Sequence, residues 1–255
     1  MPAHPSLSAF PSRTLARLTA SLGALLCALQ TGPLAAQTGT TGPLVDRVPV
    51  GSLLFDRTEV TIAQFARFAQ ATGTVTRAER EGGGFEFVGG WQRRAGWTWR
   101  TPDGVAPASR QLPAVHLTHA EAEAYCRWAG GRLPTEAEWI SAAYTEQRPA
   151  PPAPFTRGTT YPYPTGASPQ GANTSDTDPW PRAAPARATA VGVNGLHDMG
   201  ANAWEWVSDA QGNDRRTMGG SWWYGASQMR AEVNAWKAAD FYAVYIGFRC
   251  VAPVN

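Results

Sequence analysis

One stretch constrains this chain more than any other. Asn194 to Asp209, NGLHDMGANAWEWVSD, sets two tryptophans, two glycines and three acidic residues into sixteen positions, with neither a 3.6- nor a 2-residue period. So patterned, it reads as a folded loop. Asp198, Asn202, Glu205 and Asp209 can turn hard oxygens inward, toward a cation or toward the loop's own backbone, and spacing alone leaves both readings open. Trp204 and Trp206 supply the apolar bulk that a loop otherwise lacks. Eleven tryptophans in 255 residues extend the same theme. So many large rings imply a core or a concave site built from indoles and filled in by loops.

The first 36 residues read as a secretory signal. Arg13 and Arg17 precede an apolar run from Leu18 to Leu29, and Leu34-Ala35-Ala36 offers a small-residue cleavage end. The expected organisation is signal 1–36, a Gly/Thr/Pro-rich linker 37–50 and one domain 51–255, exported to a periplasmic or external space. The apolar run is short for a membrane span, so none is expected after the signal is removed. Removal leaves twenty basic against twenty acidic residues. A chain without a net basic field is not a nucleic-acid binder. It also leaves two cysteines, Cys126 and Cys250, an even pair that suggests a disulfide in an oxidising compartment.

Three capping boxes punctuate the chain. Thr61 with Gln64 opens a helix from Ile62 to about Ala71 that Gly73 ends, after a strand at Leu53 to Phe55. Thr118 with Glu121 opens a second, with Ala122, Tyr125, Cys126 and Ala129 on one face. Thr135 with Glu138 opens a third, carrying Trp139, Ile140 and Ala143. Val75 to Gly104 reads as short strands and long loops, and 147–190, rich in proline, as ordered loop. Met218 to Trp222 and Tyr245 to Val251 read as strands.

The blocks FDRTEVTIAQFARFAQATG (55–73), LPAVHLTHAEAEAYCRWAGGRLPTEAEW (112–139), NGLHDMGANAWEW (194–206), GGSW (219–222) and GFRC (247–250), in this order, resemble the sulfatase-modifying-factor family of the formylglycine-generating enzyme. The resemblance implies an α+β fold, the variant of the C-type lectin-like fold found in that enzyme, with little regular secondary structure. It also implies a Cys126–Cys250 bridge. For calcium it implies side-chain oxygens of Asp198 and Glu205 with the carbonyls of Ala201 and Ala203, and more loosely a second set at Asn173, Thr174, Asp178 and Trp180. The family's oxidase holds copper on two cysteines between its GGS and GFR blocks. Here the interval from Trp222 to Ile246 has none, and Tyr224 and Met229, which fall near those positions, are no thiolate pair. Copper is therefore not expected.

Iron is not expected either, since the iron-dependent sulfoxide synthases of the superfamily draw most of their histidines from another domain. His116 and His119 form an H-x-x-H, but a strand position for His116 and a helix start for His119 need not make their rings converge, and hydrogen-bonded packing is the alternative. His197 completes the histidines after the signal. The ligand surface is expected at 222–245, with Trp222, Trp223, Tyr224, Arg230, Glu232, Trp236, Tyr242 and Tyr245, joined by Asp240 and the chain's single lysine, Lys237. Two functions fit. One is an exported oxidoreductase or maturation factor with altered chemistry, like relatives that mature a siderophore chromophore without the cysteine pair. The other is a non-catalytic protein holding a small molecule or protein partner.

Overall fold

Four helices start on the same device, a threonine whose hydroxyl accepts the N3 amide while the N3 side chain accepts the threonine's own amide. In the computed structural model, which describes residues 42–176 and 178–254, these are α1 (Ile62–Thr72), α2 (Arg77–Arg80), α3 (His119–Trp128) and α4 (Glu136–Tyr144). Reciprocal capping satisfies two backbone donors per helix and is worth about 1 kcal/mol each time. The box Thr76 to Glu79 was not among the three read from the sequence, where a four-residue helix is too short to show a period. Gly73 closes α1 at φ 71°, as expected of a left-handed cap.

Strands β1 (Arg47–Val50), β2 (Leu53–Asp56) and β9 (Val251–Pro253) form one antiparallel sheet in that order, and β3 (Gly83–Phe87) pairs with β4 (Trp91–Ala95) as a hairpin. A third sheet runs β7 (Asn234–Ala238), β6 (Asp214–Met218), β5 (Trp204–Gln211), β8 (Ile246–Gly247), with β5 and β8 parallel. Between these pieces the chain is mostly irregular. The architecture is the mixed α+β one expected, and among the described residues no helix is long and apolar enough to cross a membrane.

The main core forms where the buried stripe of α1 meets α3. Phe65 stacks on Tyr125 at 5.9 Å and lies edge-on to Trp99 at 5.0 Å, with Phe248 closing the far side. Cys126 of α3 is bonded to Cys250, just before β9, with Cα atoms 5.5 Å apart across 124 residues. A closed loop of that length stabilises by about 5 kcal/mol in the chain-entropy view. Free-thiol labelling of denatured, unreduced protein lacking residues 1–36, and with them Cys27, is expected to find none, and Cys126→Ala/Cys250→Ala is expected to unfold at far lower urea. Two labelled thiols per chain would contradict the bridge.

Several expectations need correction. Residues 47–50, taken as linker, are β1: Val48 and Val50 are buried and Arg47 pairs with Asp56 at 2.8 Å, while Pro49 is tolerated because β1 is an edge strand. Asn194 to Asp209 is a loop only as far as Ala203. From Trp204 it is β5, whose first four residues are all buried, so the strand lacks the alternation that would have revealed it. Met218 to Trp222 is not one strand, because Gly219 (φ 95°) and Gly220 (φ 79°) turn the chain out of β6. A Cβ at Gly219 would meet the Met199 carbonyl at 2.9 Å. Tyr245 to Val251 breaks into β8 and β9 around the buried Arg249. The signal segment 1–36 and residues 37–41 lie outside the described residues.

Candidate functional site

Behind the loop from Asn194 to Ala203 lies a knot of buried charge. Arg249, fully buried, gives Nε and Nη2 to both oxygens of Glu205, at 2.7 to 3.0 Å, and donates to the Asp56 and His197 carbonyls. Glu205 also accepts the Trp139 indole N–H at 2.8 Å. Glu59 accepts from the Ala203 amide and the Asn202 side chain, and Asn202 in turn bridges to Asn173 and Ala184. Burial, reinforced by Asp198 and Glu205 nearby, holds Glu59 well above the usual carboxylate range. Burial also lifts Asp198 to about 6, with Glu205 adding to it and the Thr189 hydroxyl and Arg249 opposing. Three buried carboxylates face one guanidinium, so the region favours an added positive charge.

Two buried side-chain oxygens lack a hydrogen-bond partner among the described residues, Asp198 Oδ2 and Asn173 Oδ1. Each belongs to one of the two calcium sets that the resemblance implies. A buried acceptor left unmade costs about 1–3 kcal/mol, and a hard cation is one thing that repays it. Asp198, Ala201 and Asn202 all have left-handed φ, between 50° and 68°, which turns this backbone back on itself beside the orphaned oxygen. A void of about 10 Å³ touches Asp198, room for roughly one water-sized sphere. The set that the resemblance implies is two carboxylates and carbonyls, not a ring of acids, and among the described residues no group of three or more His, Cys, Asp or Glu is disposed to hold a metal. The second set is looser, with Asp178 Oδ1 occupied by the Trp180 amide.

The histidines do not converge. Each sits within 3.3 Å of a backbone carbonyl: His116 Nε2 at Pro102, His119 Nε2 at Val207 and His197 Nδ1 at Thr189. His116 is not on a strand, as the sequence suggested, but in the left-handed region at φ 59°, its ring packed on Gly84, where a Cβ would come within 2.2 Å. Burial lowers its pKa to about 4. The unfolded chain takes up a proton at its ordinary 6.5 that the folded chain refuses, so this contribution is intact above pH 6.5 and lost as pH falls toward 4. Between pH 7 and 4.5 the protein is expected to lose about 2–3 kcal/mol more stability than His116→Gln, read by urea unfolding at each pH. Equal losses would place the titration elsewhere.

The expected ligand residues divide. Trp222, Trp223, Tyr224 and Tyr245 come together in an aromatic basin: Tyr224 and Tyr245 are 6.0 Å apart, Trp223 lies 6.5 Å from Tyr245, and Trp204 meets Tyr224 at 6.0 Å. Trp91 and Phe241, which sequence reading had not placed here, extend it at 4.7 Å from each other. Lys237 reaches in with Nζ 5.8 Å from the Trp204 ring. Tyr242 is core instead, packed on Phe85 and donating to Glu81. Trp236 lies across β7 against Arg216 at 4.3 Å, Arg230 folds onto Tyr163, and Glu232 is exposed. Asp240 pairs with Arg77. Beside the basin a pocket of about 360 Å³ is lined by Thr174, Asp176, Asp178, Trp180, Trp222 and Trp223. No periodicity marks Trp91, Asp176 or Glu59 as site residues, since each arrives from a separate loop or hairpin.

Tyr224 and Met229 sit in different surroundings. Tyr224 belongs to the basin, whereas Met229 is fully buried beside Ala172 and Ala201.

Comparison with known proteins supplies the remaining context. The model described as a sulfatase-modifying factor enzyme 1-like domain matches residues 24–254. The formylglycine-generating enzyme of Thermomonospora curvata is 30% identical over 83% of this chain and 85% of its own length. A mouse protein named inactive C-alpha-formylglycine-generating enzyme 2 is 29% identical over 82% of this chain and 77% of its own. Among solved structures, PvdO from Pseudomonas aeruginosa superposes with a TM-score of 0.57 at 18% identity, covering 79% of this chain and 80% of that one.

Proposed function

The chain belongs to the sulfatase-modifying-factor family, and from that premise we propose that it is a divergent member, an oxidoreductase or maturation factor that does not use the copper route. One observation carries this reading: its cysteines after residue 36 are both spent in the Cys126–Cys250 bridge, leaving no thiolate near the basin. The substrate class is a small organic molecule or a peptide side chain able to lie on half-exposed rings. Trp223 and Tyr224, half-buried over the buried Trp222 and Tyr245, exclude water and orient it, and a substrate that itself passes two electrons and two protons to oxygen, giving peroxide, needs no metal from the protein. The alternative, a binding protein on the same scaffold, is favoured by the neighbouring pocket, where Thr174, Asp176 and Asp178 beside indole faces suit a polar ring. Oxygen uptake in the presence of a bound ligand separates the two.

Calcium is proposed as the resident ion, at Asp198 and Glu205 with the Ala201 and Ala203 carbonyls, and with it a role in holding the Asn194 to Ala203 loop. Its chemistry there is structural, neutralising buried carboxylate charge. Export is supported by the disulfide, which persists in oxidising compartments. Elemental analysis of purified protein is expected to find calcium at about one or two per chain and no copper retained against a Cu(I) chelator. Removing calcium is expected to lower Tm, and Asp198→Ala to erase that response, because only an ion preferring the folded state shifts Tm. Stoichiometric copper would overturn the functional reading. A Tm indifferent to chelator in a calcium-free protein would overturn the calcium assignment alone.

A further inference from the structure

Lys237 is the only lysine of the chain. It lies in β7, where side chains alternate between faces, so that Trp236 stacks against Arg216 while Lys237 enters the basin on the other side. Its Nζ sits 5.8 Å from the centroid of Trp204 and 6.0 Å from that of Phe241. Its register partner across the sheet is Arg215, another cation, which turns its guanidinium to the carbonyls of Gly212 and Asp214. Among the described residues Nζ makes no hydrogen bond and no ion pair. A half-buried ammonium is ordinarily held by a carboxylate. This one has only ring faces.

We propose that Lys237 is the amine of a carbonyl-binding site, taking an aldehyde or ketone on a flat aromatic or apolar body as an imine. The amine lone pair attacks the carbonyl carbon to give a carbinolamine. The carbon–oxygen bond then breaks, the oxygen leaves as water with the two amine protons, and a C=N bond remains. The reaction needs neither oxidant nor metal, so it stands independently of the family's redox chemistry. Three features suit it. Burial pushes the Lys237 ammonium below the ordinary lysine value, which enlarges the nucleophilic fraction near neutral pH. Trp91, 44% exposed, and the half-buried Phe241, Trp223 and Tyr224 offer flat faces to the body of the ligand. Finally, among the described residues no acid pairs with the nitrogen.

The folded protein is incubated with benzaldehyde and cyanoborohydride at pH 7 and then digested for peptide mass mapping. Only the Lys237 ε-amine and the α-amine at the chain start can be alkylated, so the α-amine serves as internal standard. The benzyl adduct is expected on Lys237 at least about threefold faster in the folded protein than in guanidinium-unfolded chain, relative to that standard. Benzaldehyde is expected to outpace propionaldehyde in the folded protein and to lose that advantage on unfolding. Lys237→Arg, which keeps the charge over the rings, is expected to fold and to lose the adduct. Labelling of Lys237 no faster when folded, or a folded protein without preference for the aromatic aldehyde, would overturn the proposal.

Discussion

A peptide carrying the sulfatase cysteine motif is expected to keep its thiol when incubated with this protein, copper, reductant and oxygen, with no aldehyde above the protein-free control. The reason is chemical. Binding Cu(I) tightly enough to activate oxygen needs soft ligands, and thiolate is the softest a protein offers. Cys126 and Cys250 are bonded to each other and fully buried. The positions nearest the family's pair hold Tyr224, packed among rings, and Met229, sealed beneath the loop at Gly200. A thioether without a partner does not rebuild the site. The three histidines of the described chain are each committed to a backbone carbonyl. Aldehyde formation at a catalytic rate, followed by mass, would restore the family's own chemistry to this chain and refute the divergent reading.

Arg249→Met is expected to cost about 3–5 kcal/mol, enough to leave a marginal fold mostly unfolded at ordinary temperature. The methionine fills much of the volume but strands Glu205, which is 1% exposed and takes three of its hydrogen bonds from that guanidinium. Glu59 and Asp198 lose the same compensating charge. Arg249→Lys is expected to recover only part of the loss, because an ammonium cannot serve Glu205, the Asp56 carbonyl and the His197 carbonyl in one planar fork. Urea unfolding reads the differences directly. If calcium occupies the knot, added calcium is expected to restore some of the stability of Arg249→Met. A loss below about 1 kcal/mol would show that the charges there are not interdependent.

The largest mismatches between sequence and structure have separate physical causes. Val48 and Val50 alternate correctly for a strand, but Gly, Thr and Pro around them outweighed two residues of pattern. Trp204 to Val207 showed no alternation because β5 is buried on both faces, Trp204 and Trp206 in one core cluster and Val207 in another. His116 gave no hint of its left-handed backbone, which depends on Gly84 allowing the ring to approach. The ligand surface was legible in part: Trp222 to Tyr224 is one continuous run, whereas Trp91, Phe241 and Lys237 reach the basin from three elements whose meeting no local pattern encodes.

What the sequence determined by itself is therefore local or covalent. The threonine boxes start helices because both capping partners lie within four residues, Gly73 ends one because φ there must be positive, and the interval from Trp222 to Ile246 holds no cysteine. Tertiary structure decided what requires distant groups to share space. It joined Glu59 to a loop 144 residues away and, among the described residues, left Asp198 Oδ2 and Asn173 Oδ1 without donors and set Lys237 among rings with no carboxylate. Hydrogen bonds within one turn are written in the spacing of residues. The desolvation and pairing of charges are properties of the packed interior, where the cost of burial depends on every neighbour at once.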